Sequence, residues 1–221
     1  MRNTFFIFSF VLLFSCSEHN NQDPINKESK FSSLLTKYKD ISFDTLKIFS
    51  SDNTEIETYQ YKGVQLDSLD VLLFPESIAN RYNPSEVFAA CFKFPLDSSR
   101  IALITRVPST YQSSSLQLLI FDRNSDRVTD IIELAEMVGD AGDVYSKHSW
   151  LYKTIKEGTQ IFGWIQESHD NSVENENDTT IQITNTYYLL SILKDKVDTI
   201  NQNKELLAKQ FESLLRQDVG H

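Results

Sequence analysis

Arg100-Ile101-Ala102-Leu103-Ile104-Thr105-Arg106-Val107, and then Leu116-Gln117-Leu118-Leu119-Ile120-Phe121, are the two runs that decide the fold. Each is short, dominated by Ile, Leu and Val, and bounded by polar residues, as buried strands are. Asp122-Arg123-Asn124-Ser125-Asp126 follows the second run and Asp97-Ser98-Ser99 precedes the first, both rich in the residues that make tight turns. Working outward, Val87–Phe94, Thr159–Gln166 and Tyr187–Leu193 are further apolar or aromatic runs, and Ile56–Lys62 alternates loosely. Lys156-Glu157-Gly158 and Lys194-Asp195 separate runs by a few residues, as antiparallel hairpins require. The expected fold is mainly β, an antiparallel meander or one broad sheet, α+β only at its margins. A propeller is the minor alternative, because no fixed repeat is present.

The ends of the domain change period. Asn203–Arg216 places Leu207, Phe211, Leu214 and Leu215 on one stripe, an amphipathic helix spanning 203–216 that would pack over a sheet face. Lys30–Asp40 fits a short helix with Phe31, Leu34, Leu35 and Tyr38 on one side. Asp130–Val138 fits a strand or a short capped helix, and both stay open.

Three stretches hold candidate chemistry. Gly139-Asp140-Ala141-Gly142-Asp143 with the following His148 and Trp150 would line a ligand loop on the rim of a sheet, although Gly-Asp clusters are also ordinary turn chemistry. Asp122, Asn124 and Asp126, with Asp130 and Glu133 further on, match the oxygen-ligand spacing of a calcium loop. Arg127 stands where that loop wants glycine, so a hairpin turn is the favoured reading and no metal is expected. Ser168–Thr180 is polar and acidic, a loop between two strands. No G-x-S-x-G, H-E-x-x-H, G-x-x-x-x-G-K or C-x-x-C occurs. No cofactor is expected.

At the N-terminus, Arg2 precedes Phe5–Phe14, ten residues of which only Ser9 is polar. This run is too short to span a bilayer, which takes about 20 apolar residues, and has the form of an export signal over residues 1–15. Leu13-Phe14-Ser15-Cys16 resembles the lipobox of bacterial lipoproteins, and the first 20 or so residues resemble those of lipoproteins of Bacteroidota envelopes. The resemblance implies an acylated Cys16, and Ser17 behind it implies delivery to the outer membrane. Residues 16–29 then form a polar tether and 30–221 one β-rich domain.

With Arg2 removed, 20 Lys and Arg face 31 Asp and Glu, a side-chain charge of -11. Such a chain repels phosphates and has no basic cluster, which argues against nucleic acid and leaves the lipid as the membrane contact. Cys91 is then the one remaining thiol, inside an apolar run, so no internal disulfide forms. The expected function is a non-catalytic binding or accessory module for a protein or glycan partner. The alternative is a hydrolase acting on envelope or external polymers, recognisable by clustered carboxylates in a deep cleft.

Overall fold

The computed structural model describes residues 29–50, 59–109, 114–154, 158–194 and 196–218. The signal segment, Cys16 and nearly all of the tether lie outside them. In chain order the elements are α1 (Ser32–Lys37), β1 (Lys39–Asp40), β2 (Thr45–Ile48), β3 (Val64–Gln65), α2 (Ser68–Val71), α3 (Glu76–Ala79), β4 (Ala89–Pro95), β5 (Arg100–Pro108), β6 (Ser114–Asp122), β7 (Arg127–Asp140), β8 (Asp143–Thr154), β9 (Gly158–Asp170), β10 (Ile181–Ile192), β11 (Val197–Asn201), α4 (Lys204–Gln210) and α5 (Glu212–Asp218).

The strands form one continuous mixed sheet of 11 strands, ordered β1-β4-β5-β6-β7-β8-β9-β10-β11, with β3 also on β4 and β2 also on β8. One continuous sheet that takes in all 11 strands, nine of them on a single path, rules out propeller blades. The pairings from β4 to β11 are antiparallel, and β1 on β4 is parallel. The sheet doubles over at β7. Residues up to Ala135 pair with β6, whereas Glu136–Asp140 pair with β8, so one strand belongs to two halves that face each other.

Side-chain alternation then produces three cores. On β5, Ala102 and Ile104 enter a core shared by both halves, together with Leu118 of β6, Leu151 of β8 and Ile161 of β9. Ile101, Leu103 and Val107 point the other way, into a core covered by α1, α2 and α3 through Phe31, Leu34, Val71 and Ile78. On the opposite outer face Trp150, Phe162, Tyr187 and Leu189 are covered by Leu207 and Phe211 of the C-terminal helical segment. Strand β5 is buried along its whole length for this reason.

Polar contacts fix the helices. The Tyr38 hydroxyl lies 2.7 Å from Thr105 Oγ1 in a buried pair, which pins the end of α1 to β5. Lys93 Nζ donates to the carbonyls of Leu35 and Tyr38 at 2.9 Å each, satisfying the free acceptors at the end of that helix. Lys37 pairs with Asp70, and Asp67 caps α2 while Asp70 returns the bond to the Asp67 amide. Arg100 bonds Asp97 Oδ2 through Nε at 2.8 Å and the Leu193 carbonyl through Nη1 at 2.6 Å, tying one hairpin turn to the turn before β11.

Two expectations are corrected and one open reading is decided. The C-terminal helix is not continuous over 203–216: it is interrupted at Phe211, whose backbone (φ -109°, ψ 19°) leaves helical geometry as the ring inserts against Phe162. Asp130–Val138 is strand, because β7 must supply hydrogen bonds to β6 and β8 in turn. Within Ile56–Lys62, residues up to 58 lie outside the described ones, and Tyr59–Lys62 is turn and coil. Tyr59 and Tyr61 still point inward, giving the alternation without strand pairing. No helix among the described residues is long and apolar enough to cross a membrane.

Phe211 stacks on Phe162 at a centroid distance of 4.1 Å, and Leu207 is fully buried beside it. Phe211→Ala is expected to cost about 3 kcal/mol in chemical denaturation, whereas Leu206→Ala, on the exposed side, stays within about 0.5 kcal/mol. Burial alone would raise the Asp97 carboxyl, but bonds from Arg100 and Ser99 outweigh it and hold it well below the usual carboxylate range. A depressed folded value means that its contribution is complete above the unfolded value of about 3.9 and is lost as pH falls through the folded one. Acid unfolding should therefore be less steep below about pH 4 in Asp97→Asn than in the wild type.

Candidate ligand-binding cleft

Where β7 changes partner, the two halves of the sheet splay. The gap is a shallow cleft of about 400 Å³, with Asp130, Ile132 and Glu133 on one wall, Lys147, Tyr188 and Leu190 on the other, and β11 along its edge. Strand alternation explains the composition. Along β8, Ser149 and Leu151 face the shared core, and Lys147 continues that inward row beyond the point where apolar neighbours end.

Lys147 is the centre of the cleft. Its Nζ lies 3.0 Å from Glu133 Oε1 and 5.5 Å from the Tyr188 ring centroid, and its side chain is only 12% exposed. Burial disfavours its charge, but Tyr188 and the Glu133 carboxylate beside it raise it above the ordinary lysine value, so the amine stays protonated. Glu136 stands opposite Lys147 in the register between β7 and β8. Its carboxyl is raised, first by burial and then by the like charge of Glu133.

Tyr188 lies flat on Gly163, its partner in β9. A Cβ at position 163 would come within 2.0 Å of the tyrosine ring, so only glycine lets the ring settle there. The Tyr188 hydroxyl is buried and has no hydrogen-bond partner among the described residues. The cleft thus combines a fixed cation, a fixed carboxylate and an aromatic wall. That set suits recognition of a polar, hydroxyl-bearing ligand.

The residues expected as a ligand loop do not come together. Asp140 and Asp143 flank a two-residue hairpin turn in which Ala141 (φ 48°) and Gly142 (φ 90°) both adopt the left-handed region, as a type I′ turn demands. Asp143 binds His169 Nδ1 at 2.8 Å. His148 lies on the outer face of β8, 2.7 Å from Ser146 Oγ and 5.7 Å from the Trp164 ring. Trp150 is buried in the third core, stacked on Phe162. The stretch is a hairpin and two strand positions, not a loop.

The calcium-like spacing also has a turn explanation. Asp122 Oδ1 accepts from the Ser125 amide at 2.7 Å and its hydroxyl at 2.9 Å, and Asp126 accepts from Ser29 and from the Lys30 amide at 3.2 Å. Asn124 is exposed in the four-residue turn 123–126. No group of three or more His, Cys, Asp or Glu side chains suited to a metal occurs among the described residues. Cys91 is buried, donates to the Tyr61 carbonyl at 3.3 Å, and has its thiol pushed up to about 12 by burial, so it behaves as a core residue. From sequence Glu133 stands out only as a position of the calcium-like spacing, and nothing joins it to Lys147 and Tyr188, because 14 residues separate the first two and 41 separate Lys147 from Tyr188.

Gly163→Ala is expected to destabilise by about 3 kcal/mol, with much of that cost removed when Tyr188→Ala is added, as a double-mutant cycle reads directly. Because the Glu136 carboxyl is raised, its contribution is complete below the unfolded value and is lost as pH rises through the folded one. Glu136→Gln should therefore be the more stable protein at neutral pH and should lack that decline in melting temperature with rising pH. Comparison with known protein families, with curated proteins and with solved structures finds no match to this chain.

Proposed function

We propose that this chain is a lipoprotein of the bacterial outer membrane, held by lipid on Cys16, whose β domain binds a hydroxyl-rich ligand such as a glycan segment without transforming it. The sequence support is the export signal, the cysteine at its end and the acidic, cation-poor chain behind them. One observation carries the binding role: Lys147, charged and mostly buried, is held between Glu133 and the Tyr188 ring in the wall of an open cleft. A paired donor and acceptor beside an aromatic face match the alternating hydroxyls and apolar faces of a sugar.

A second reading, polymer hydrolysis, has one observation in its favour. Glu133 and Glu136 are neighbouring carboxyls whose environments differ, the first paired with a lysine and the second raised. Against it, the cleft is shallow, and Glu133, which would have to act as base or nucleophile, is held by Lys147.

Titration calorimetry with a panel of neutral and amino-sugar oligosaccharides should give binding that weakens about tenfold or more in Lys147→Met and in Glu133→Gln, a loss of at least 1.4 kcal/mol. Sugar products found by mass spectrometry, and abolished in Glu136→Gln, would replace the binding role with hydrolysis. For the anchor, metabolic fatty-acid labelling should mark the wild type and not Cys16→Ala, which leaves the membrane fraction. Absence of label from the wild type would sink the anchor.

A further inference from the structure

Strand β10 is paired with β9 along its whole length, but on its other side β11 covers only Leu189–Ile192. Among the described residues nothing pairs with the outer edge of Ile181–Tyr188. The direction of the free groups follows from the ladder. Asn171 N donates to Thr180 O at 3.1 Å, so residues of even number in β10 bond β9, and the N–H and C=O of Ile181, Ile183 and Asn185 point outward.

This edge lacks the usual protections. Residues 181–187, Ile-Gln-Ile-Thr-Asn-Thr-Tyr, contain no charge and no proline, and the ladder to β9 runs through them without a bulge. The opposite edge of the sheet is guarded differently: β1 is two residues long and both, Lys39 and Asp40, are charged. On β10 the outward-bonding residues include Ile181 and Ile183, 60% and 58% exposed, side by side on the same face.

We infer that this edge is the interface for a second copy of the chain, which adds its own β10 antiparallel about a twofold axis through Ile183. In that register Ile183 lies opposite its equivalent, Ile181 opposite Asn185, and Gln182 opposite Thr184. Each copy's outward N–H and C=O groups meet the partner's, and two exposed isoleucines per copy close into one apolar patch. The composition of the edge argues for this occupant: laid on itself, the seven-residue segment opposes no charges and brings its exposed isoleucines together, whereas the net charge of -10 disfavours contact between copies in general. The register also keeps the partner strand clear of Asn201, the residue that β11 places against Leu189. The pairing is independent of what the cleft binds.

The test is the oligomeric state of the full chain, extracted in detergent and measured by light scattering with chromatography. A dimer is expected, with Ile183→Lys and Ile183→Pro weakening it about tenfold or more while leaving circular dichroism and the melting of the dilute monomer unchanged, since a proline at an outward-bonding edge position removes no existing bond within the chain. Val173→Lys, exposed but off the edge, should remain dimeric. Hydrogen exchange adds a local readout: amides of Ile181, Ile183 and Asn185 should be protected in concentrated samples and exchange freely on dilution. A wild-type monomer at the highest soluble concentration overturns the inference, as does a dimer that persists in both Ile183 variants or leaves those three amides unprotected.

Discussion

The constraint on which the structure depends is that β7 serves two partners. Its early residues complete the ladder to β6 and its later ones begin the ladder to β8, so the chain continues as one sheet while its two halves turn to face each other. Register shifts in the β6–β7 ladder, between Leu116 and Gln117 and between Ile120 and Phe121, provide the local twist that such a change of direction needs. The shared core and the cleft are both products of that turn. The first lies where the halves meet and the second where they separate.

Doubling the sheet creates two outer faces that are too apolar for water. Trp150, Phe162 and Tyr187 on one side, and Leu103, Leu119 and Phe121 on the other, need cover. Short helices drawn from opposite ends of the domain supply it. Few of them carry strong helix-forming sequences, so they owe their existence to what they bury. The phenol of Tyr38 and the amine of Lys93 then settle α1 in one position on β5.

Much of this was legible in the sequence. Strands β5 and β6 announce themselves because both of their faces are buried, which leaves continuous apolar runs, and Asp122–Asp126 reads as a turn because the Asp122 carboxylate accepts from the Ser125 amide within it. Strand β7 was not legible. Its residues Ile131, Ile132, Leu134, Ala135 and Val138 fit helical spacing as well as strand, and the decision is made by neighbours distant in the chain. The candidate site failed for a related reason. His148 and Trp150 adjoin Lys147 in sequence, yet alternation sends them to the outer face and Lys147 to the inner one, where Glu133 and Tyr188 await. Proximity along a strand is a poor guide to what shares a face. The glycine under Tyr188 gives no hint of its role until both strands are aligned.

The two-residue turn at Ala141 and Gly142, and the other short connections of the meander, let β4 through β11 zip up one neighbour at a time, each step closing only a small loop. Strand β2 is different. Leu46 pairs with Leu151, so that ladder closes a loop of about 100 residues, and its entropic cost must be met before any contact repays it. Topology of this kind makes the last pairing slow compared with the local ones. The shared core, which needs Leu46 and Ile48, therefore seals late, and an intermediate with a zipped meander and an open interior is the species most exposed to aggregation during folding.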